Sequence, residues 1–159
     1  MQRYTDQRFF EGSLWRMVEE IEAYLRSHLQ RSGGGRSGFR RLERFEYPLQ
    51  ALREALLNAI IHRNYFRAAD IKMFFLPDRL LIRNPGSFPP GVTPESPEHR
   101  PRNPLLSQYF YDVGLVEKYG SGIETMRSIC SNSSSVTLKF DLKESSTTLI
   151  FQKKEKPFA

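Results

Sequence analysis

The residues with chemistry to offer are gathered in one stretch of helical period. Between Leu49 and Asn64, the apolar residues Leu49, Leu52, Leu56, Ala59 and Ile60 recur along one face, because each helical residue turns about 100°. Glu54, Asn58 and His62 follow one another at i, i+4 and i+8 and fall on roughly the opposite side. A carboxylate, an amide and an imidazole are thus stacked within reach of a common ligand. The carboxylate could orient or deprotonate a water, and the amide oxygen suits a hard cation such as Mg²⁺. The ordinary alternative is a solvated polar face. Ile61 beside these groups, and the small residues Ala55 and Ala59, speak against it, as if something packs closely on both sides.

Two further strings could contribute. In Leu80-Leu-Ile-Arg-Asn84-Pro-Gly86 a hydrophobic strand ends in a side-chain amide, then a glycine, then a proline-rich loop. Asn84 and the Gly86 backbone are thereby placed at a strand mouth, although Asn-Pro-Gly is also an ordinary turn. In Tyr119-Gly120-Ser121-Gly122-Ile123-Glu124, glycines precede a helix start. Backbone N–H groups there can approach a phosphate, and the helix N-terminus favours its charge. The same string also reads as an N-cap among turn glycines.

The elements that must position these residues follow from periodicity and punctuation. Ser13 to Leu29 reads as a helix, with Ser13 as N-cap. Residues 32–38 form a Gly/Ser-rich linker with no Gly-Lys-Ser/Thr of a phosphate loop behind it. Phe39 to Tyr47 reads as a short charged edge strand, and Pro48 fits the first turn of the helix running to Asn64. Strands are expected over Ile71–Leu76 and Arg79–Arg83, and seven of the ten prolines then fall between Asn84 and Pro104. Helices follow at Asn103–Val113 and Ser121–Cys130, and a hairpin at Val136–Asp141 and Thr147–Gln152. This order is not a βαβ alternation. It predicts an α+β fold, a mainly antiparallel sheet with helices on one face.

Composition narrows the function classes. The chain has 159 residues, the size of one domain. Hydrophobic residues at 39%, with 12 Phe and 7 Tyr, argue against disorder. Cys130 is alone, which excludes a disulfide framework and a multi-cysteine zinc site. His28 and His99 lack partners at metal spacing. No run nears the roughly 18 apolar residues of a membrane span, and the first residues do not resemble a signal peptide, so a soluble, cytoplasmic domain without membrane contact is expected. The net charge of +6 suits nucleic acid or a phosphate ligand. Its carriers are dispersed, however: Arg36, Arg40, Arg41 and Arg44 alternate with Glu43 and Glu46 as on a mixed solvated surface.

Taken in order, these strings resemble a known family. Tyr47 to Tyr65, Asp78 to Gly86, Arg102-Asn-Pro104 and Gly114 to Ile123 are similar to successive blocks of the divergent GHKL-type ATPase domain of RecG-related helicases and transcriptional regulators. The resemblance covers roughly Phe9 to Phe151. It implies a two-layer α/β sandwich of Bergerat type, with a mainly antiparallel mixed sheet, and ATP with Mg²⁺ as its cofactors. By that resemblance Glu54 is the acid that activates water and Asn58 the amide that holds magnesium on the phosphates. Asn84 stands where the wider superfamily has an aspartate reading the adenine amino group, followed by Gly86. Gly120, Ser121 and Gly122 match the phosphate-covering loop and helix start, and His62, Arg63 and Asn64 end the helix beside the implied site.

Three departures accompany the match. Asn84 accepts through a neutral carbonyl rather than an anion, Phe88 replaces a second glycine, and the segment from Gly91 to Gly120 is short for a nucleotide lid. Two readings therefore stand: an ATP-binding, ATPase-like module, or a degenerate, non-hydrolysing module for dimerisation or partner docking. A third, weaker one is nucleic-acid binding through the arginines at 36–44. The expected organisation is a helical segment over 1–31, the linker over 32–38 and the ATPase-like domain over 39–159, with homo-oligomers among the partners. Any dedicated DNA-binding region would lie outside these residues.

Overall fold

Helix α1 spans Leu14–His28, with Ser13 extended at its N-cap but making no capping bond through its side chain. In this computed structural model the described residues are 7–29, 36–37, 40–41, 45–116, 121–133 and 135–154. Val18 and Leu25 of α1 are buried. The expected linker lies outside the described residues except for Arg36–Ser37, which form β1 and pair antiparallel with β2, Arg40–Arg41. Of the strand expected over 39–47, Arg40–Arg41 are strand, and residues 39 and 42–44 lie outside the described residues. Tyr47 is buried and Phe45 packs against the core, so the end of this stretch anchors the chain.

Helix α2, Leu49–His62, is the centre of the molecule. Pro48 sits at its N-cap, where a missing N–H removes no helical bond, and its carbonyl accepts from Leu52 N at 3.1 Å. Ala51, Leu52, Ala55 and Ala59 pack with the sheet and α4, while Leu56, Leu57, Ile60 and Ile61 pack with α1 and α3. That double coverage explains why the helix is apolar on more than one face. Its polar residues Glu54, Asn58 and His62 are only partly exposed, so the solvated-face reading does not hold.

Strands β3 (Lys72–Phe75) and β4 (Arg79–Pro85) form one hairpin. After helices α3 (Pro104–Asp112) and α4 (Gly122–Asn132), strands β5 (Val136–Lys143) and β6 (Ser146–Lys153) form a second. The hairpins join through antiparallel β4–β6 pairing to give the order β3-β4-β6-β5. The four-stranded sheet is therefore antiparallel throughout, and the expectation of a mixed sheet is corrected. Hairpins supply two of its three pairings, and neither α3 nor α4 carries the chain over to a parallel neighbour. Period-two alternation puts Leu80, Ile82 and Asn84 of β4 opposite Phe151, Leu149 and Thr147 of β6. These residues form the face beneath α2 and α4. Each large side chain so buried contributes about 1.5–3 kcal/mol.

The proline-rich segment after β4 is tied back to α2. Asn103 Nδ2 donates to the carbonyls of Ile61 and Arg63 at 2.7 and 2.8 Å, satisfying acceptors that the helix end leaves open. Asn64 N donates to Pro85 O at 2.7 Å. Gly86, with φ of 141°, lies so near the His62 carbonyl and Asn64 N that a Cβ would meet both at 3.3 Å. Conformation and close approach both require glycine there. Among the described residues no helix is long and apolar enough to cross a membrane.

Candidate functional site

A cleft of about 130 Å³ opens between α2, the end of β4 and the start of α4. Six of the eight residues singled out from sequence line it: Glu54, Asn58 and His62 from α2, Asn84 and Gly86 from β4 and its exit, and Gly122 from α4. Ser121 occupies the N-cap of α4 but does not line the cleft, and Gly120 lies outside the described residues. Arg63 and Asn64 turn away. Arg63 lies over the Tyr65 ring and donates to Ala69 O, while Asn64 Oδ1 accepts from Phe66 N. Phe88 forms part of the wall and leaves the space open.

At one end of the cleft, Asn58 Nδ2 donates to the Glu54 carbonyl at 2.8 Å and to Glu54 Oε1 at 3.2 Å. Helix α4 seats its first residue on this pair. A Cβ at Gly122 would run into the Asn58 amide nitrogen, and would stand 2.9 Å from Glu54 Oε1 and 3.0 Å from Asn58 Oδ1. Glycine at 122 thus permits the helix contact, and it brings the positive end of α4 beside the carboxylate. An amide oxygen and a carboxylate are the hard donors that Mg²⁺ takes when phosphate oxygens complete its shell. The described residues include no group of three or more His, Cys, Asp or Glu that could hold a metal by themselves.

At the other end, Asn84 is 5% exposed and its Oδ1 has no hydrogen-bond partner among the described residues. Thr147 stands opposite in register and donates from its hydroxyl to Gly86 O at 2.9 Å. Burial pushes the His62 imidazole down to about 4, assisted by the nearby charges of His99 and Arg102. His62 is therefore neutral near pH 7 and offers hydrogen bonds rather than a positive charge. Cys130 is buried, and burial raises its thiol pKa.

Several lining residues escape sequence reasoning. His99 and Arg100 arrive on the loop that Asn103 and Arg102 pin down, the latter donating to Ser87 O at 2.8 Å. Ser107 comes from α3 and Thr147 from β6. Ser107 carried a usable signal, a small polar residue three before Phe110 on the inward side of its helix. The loop residues carried none, since their place depends on how the loop folds back.

The family model described as "Putative ATP-dependent DNA helicase recG C-terminal" matches residues 68–151, just over half of the chain. The span takes in Asn84, Gly86 and Gly122 and begins after α2. Among solved structures the chain is similar to the DIP2311 protein from Corynebacterium diphtheriae, with a TM-score of 0.74 and 27% identity. The likeness covers 90% of this chain and 30% of that one, so the chain spans less than a third of that relative. None of the curated proteins matches it.

Proposed function

The chain belongs to the family of putative ATP-dependent DNA helicase RecG C-terminal domains, and from that premise we propose that its cleft is an ATP site. The observation that carries this reading is convergence. Glu54 and Asn58, which precede the matched span, line one cavity with Asn84 and Gly86, which lie within it. Asn84 and the apolar wall would take the base, and the Glu54–Asn58 end would take the phosphates. Asn58 Oδ1 would hold Mg²⁺ together with phosphate oxygens, and the ion would supply charge neutralisation there. Glu54 would orient the attacking water and receive its proton, which is the part a protein side chain plays in phosphoryl transfer. DNA would be engaged by a region outside these residues.

One observation favours the second reading, a non-hydrolysing module for dimerisation or docking. Gly122 packs directly on the Glu54–Asn58 pair, and the cleft volume lies below the roughly 300–1,000 Å³ of ordinary ligand pockets. Under the first reading the start of α4 must draw back to admit phosphates. Calorimetric titration with a non-hydrolysable ATP analogue and Mg²⁺ separates the two. Heat of binding supports the ATP site, and none at millimolar nucleotide removes it. Turnover is a separate measurement: Glu54→Ala should abolish hydrolysis and spare binding, and unchanged turnover would remove Glu54 from the role of base.

A further inference from the structure

We propose that the outer face of the four-stranded sheet binds single-stranded nucleic acid, at a surface separate from the cleft. Helices α2 and α4 pack on the face that carries Leu80, Ile82, Leu149 and Phe151. Strand alternation turns their neighbours Leu81, Arg83 and Ile150 to the other side. Register carries that side across the sheet. Phe74 of β3, Leu81 of β4, Ile150 of β6 and Lys139 of β5 stand in one row, and Lys72, Arg83, Thr148 and Asp141 stand in the next.

The charges on this face are arranged against the fold's own interest. Lys72 and Arg83 are exposed and directly opposite each other on β3 and β4. Like charges so placed destabilise a sheet. Neither has a carboxylate partner among the described residues, and neither has Lys139, exposed at the end of the first row. The other two cations of this side are neutralised, Arg79 by Asp78 at 3.6 Å and Lys143 by Asp141 at 3.9 Å. Three cations are left to a partner, and a phosphate between Lys72 and Arg83 relieves their repulsion.

The first row supplies the other half of the ligand's chemistry. Phe74, Leu81 and Ile150 are half-buried and, at strand spacing, form an apolar strip about 10 Å long. The Arg83 guanidinium lies 5.5 Å from the centroid of the Phe74 ring. An aromatic ring and a guanidinium plane thus adjoin the strip, and unstacked bases settle on both kinds of plane. Flat rings joined by phosphates match a strip edged by cations. A duplex keeps its bases stacked inside and would meet the cations alone. A second copy of the chain fits poorly, because a two-fold contact through this face sets Lys72, Arg83 and Lys139 against their own copies. Duplex DNA is left to a region outside these residues, and this face adds a hold on a separated strand.

The test is fluorescence anisotropy with a labelled oligothymidine of about 12 nucleotides, within the usual site sizes of single-strand binders, and no nucleoside triphosphate present. Three phosphate contacts predict an affinity that falls about 20-fold between 50 and 200 mM salt. Phe74→Leu keeps an apolar group in the row and removes the ring. It should weaken oligothymidine about tenfold and leave an abasic oligomer of the same length unchanged, whereas a purely structural role would move both alike. Lys72→Gln with Arg83→Gln should weaken both oligomers without lowering the urea midpoint. Arg40→Gln with Arg41→Gln, in the segment whose arginines the sequence offers for the same task, should leave binding as it is. The proposal is overturned by absence of binding at 50 mM salt, by equal affinity for a duplex, or by unchanged oligothymidine affinity in Phe74→Leu. Loss of binding in the Arg40 and Arg41 pair alone overturns it too. Equal affinity for polyglutamate or for phosphatidylserine vesicles does the same, since the face would then read charge and not bases. If Phe74→Leu does not fold, the native chain decides, because equal affinity for the abasic oligomer and oligothymidine removes the stacking contact. Each of these failures leaves the ATP reading of the cleft standing.

Discussion

Asn58 and Asn84 are both amides on the wall of one cleft, and the protein treats them differently. Asn58 is held by its own helix through two hydrogen bonds from Nδ2 to Glu54, with α4 seated on the pair at Gly122. Asn84 sits deeper, and its Oδ1 meets no partner among the described residues. The first end is organised before any ligand arrives, and a ligand must displace contacts to use it. At the second end the Asn84 acceptor is shut away from solvent and left without a partner among the described residues. Satisfied polar groups mark where the fold is tightly organised, and a buried group left unsatisfied costs stability unless something completes it.

The largest expected effect tests how dry the Asn84 end is. His62 has its pKa lowered from an ordinary 6.5 to about 4, first by burial and then by His99 and Arg102. The unfolded chain therefore binds a proton that the folded chain resists. This contribution is fully present above pH 6.5, declines as pH falls from 6.5 towards 4, and is absent below that. The loss amounts to on the order of 3 kcal/mol. Urea unfolding at pH 7, 5.5 and 4 should show this decline, and His62→Gln should remove it while leaving the slope due to carboxylates. An identical slope in the variant would mean that this end of the cleft is wet.

A smaller effect breaks the opposite end. Alanine at 122 gains up to about 1 kcal/mol of helix propensity over glycine, but its Cβ must displace an amide that Glu54 already holds. Overpacking of this kind costs about 1–3 kcal/mol, so the clash should win. Gly122→Ala is expected to lower the urea midpoint and to weaken binding of the ATP analogue. A raised midpoint would mean that α4 does not seat on the Glu54–Asn58 pair.

Much of this was legible in the sequence. The i, i+4, i+8 series on α2 placed Glu54, Asn58 and His62 together because helical geometry leaves no other outcome. The β4 run ended where an amide and a glycine implied a strand mouth. What sequence missed depends on contacts between distant segments. His99 and Arg100 reach the cleft only because Asn103 binds the carbonyls at the end of α2. Thr147 reaches it only through the β4–β6 register. In the charged stretch at 39–47, Arg40–Arg41 keep strand pairing while Phe45 packs on the core and Tyr47 is buried, contacts that its composition does not announce.

The finest test sets Asn84 against another orphan. The Tyr47 hydroxyl is also buried without a partner among the described residues, and Tyr47 does not line the cleft. Burial, with Glu46 and Asp78 nearby, pushes its phenol pKa up to about 12. Tyr47→Phe removes an unsatisfied group and keeps the ring, so it should raise stability by up to about 1 kcal/mol. Asn84→Leu should act in the same direction on the ligand-free chain. The two then separate in a melting experiment with and without the ATP analogue. Tyr47→Phe should keep the full ligand-induced rise in Tm, because its orphan is an imperfection of packing. On the ATP-site reading Asn84→Leu should lose part of it, because this residue lines the cleft that would take the base. Equal ligand-induced shifts in both variants would mean that the buried acceptor at Asn84 is no more a ligand contact than the hydroxyl at Tyr47.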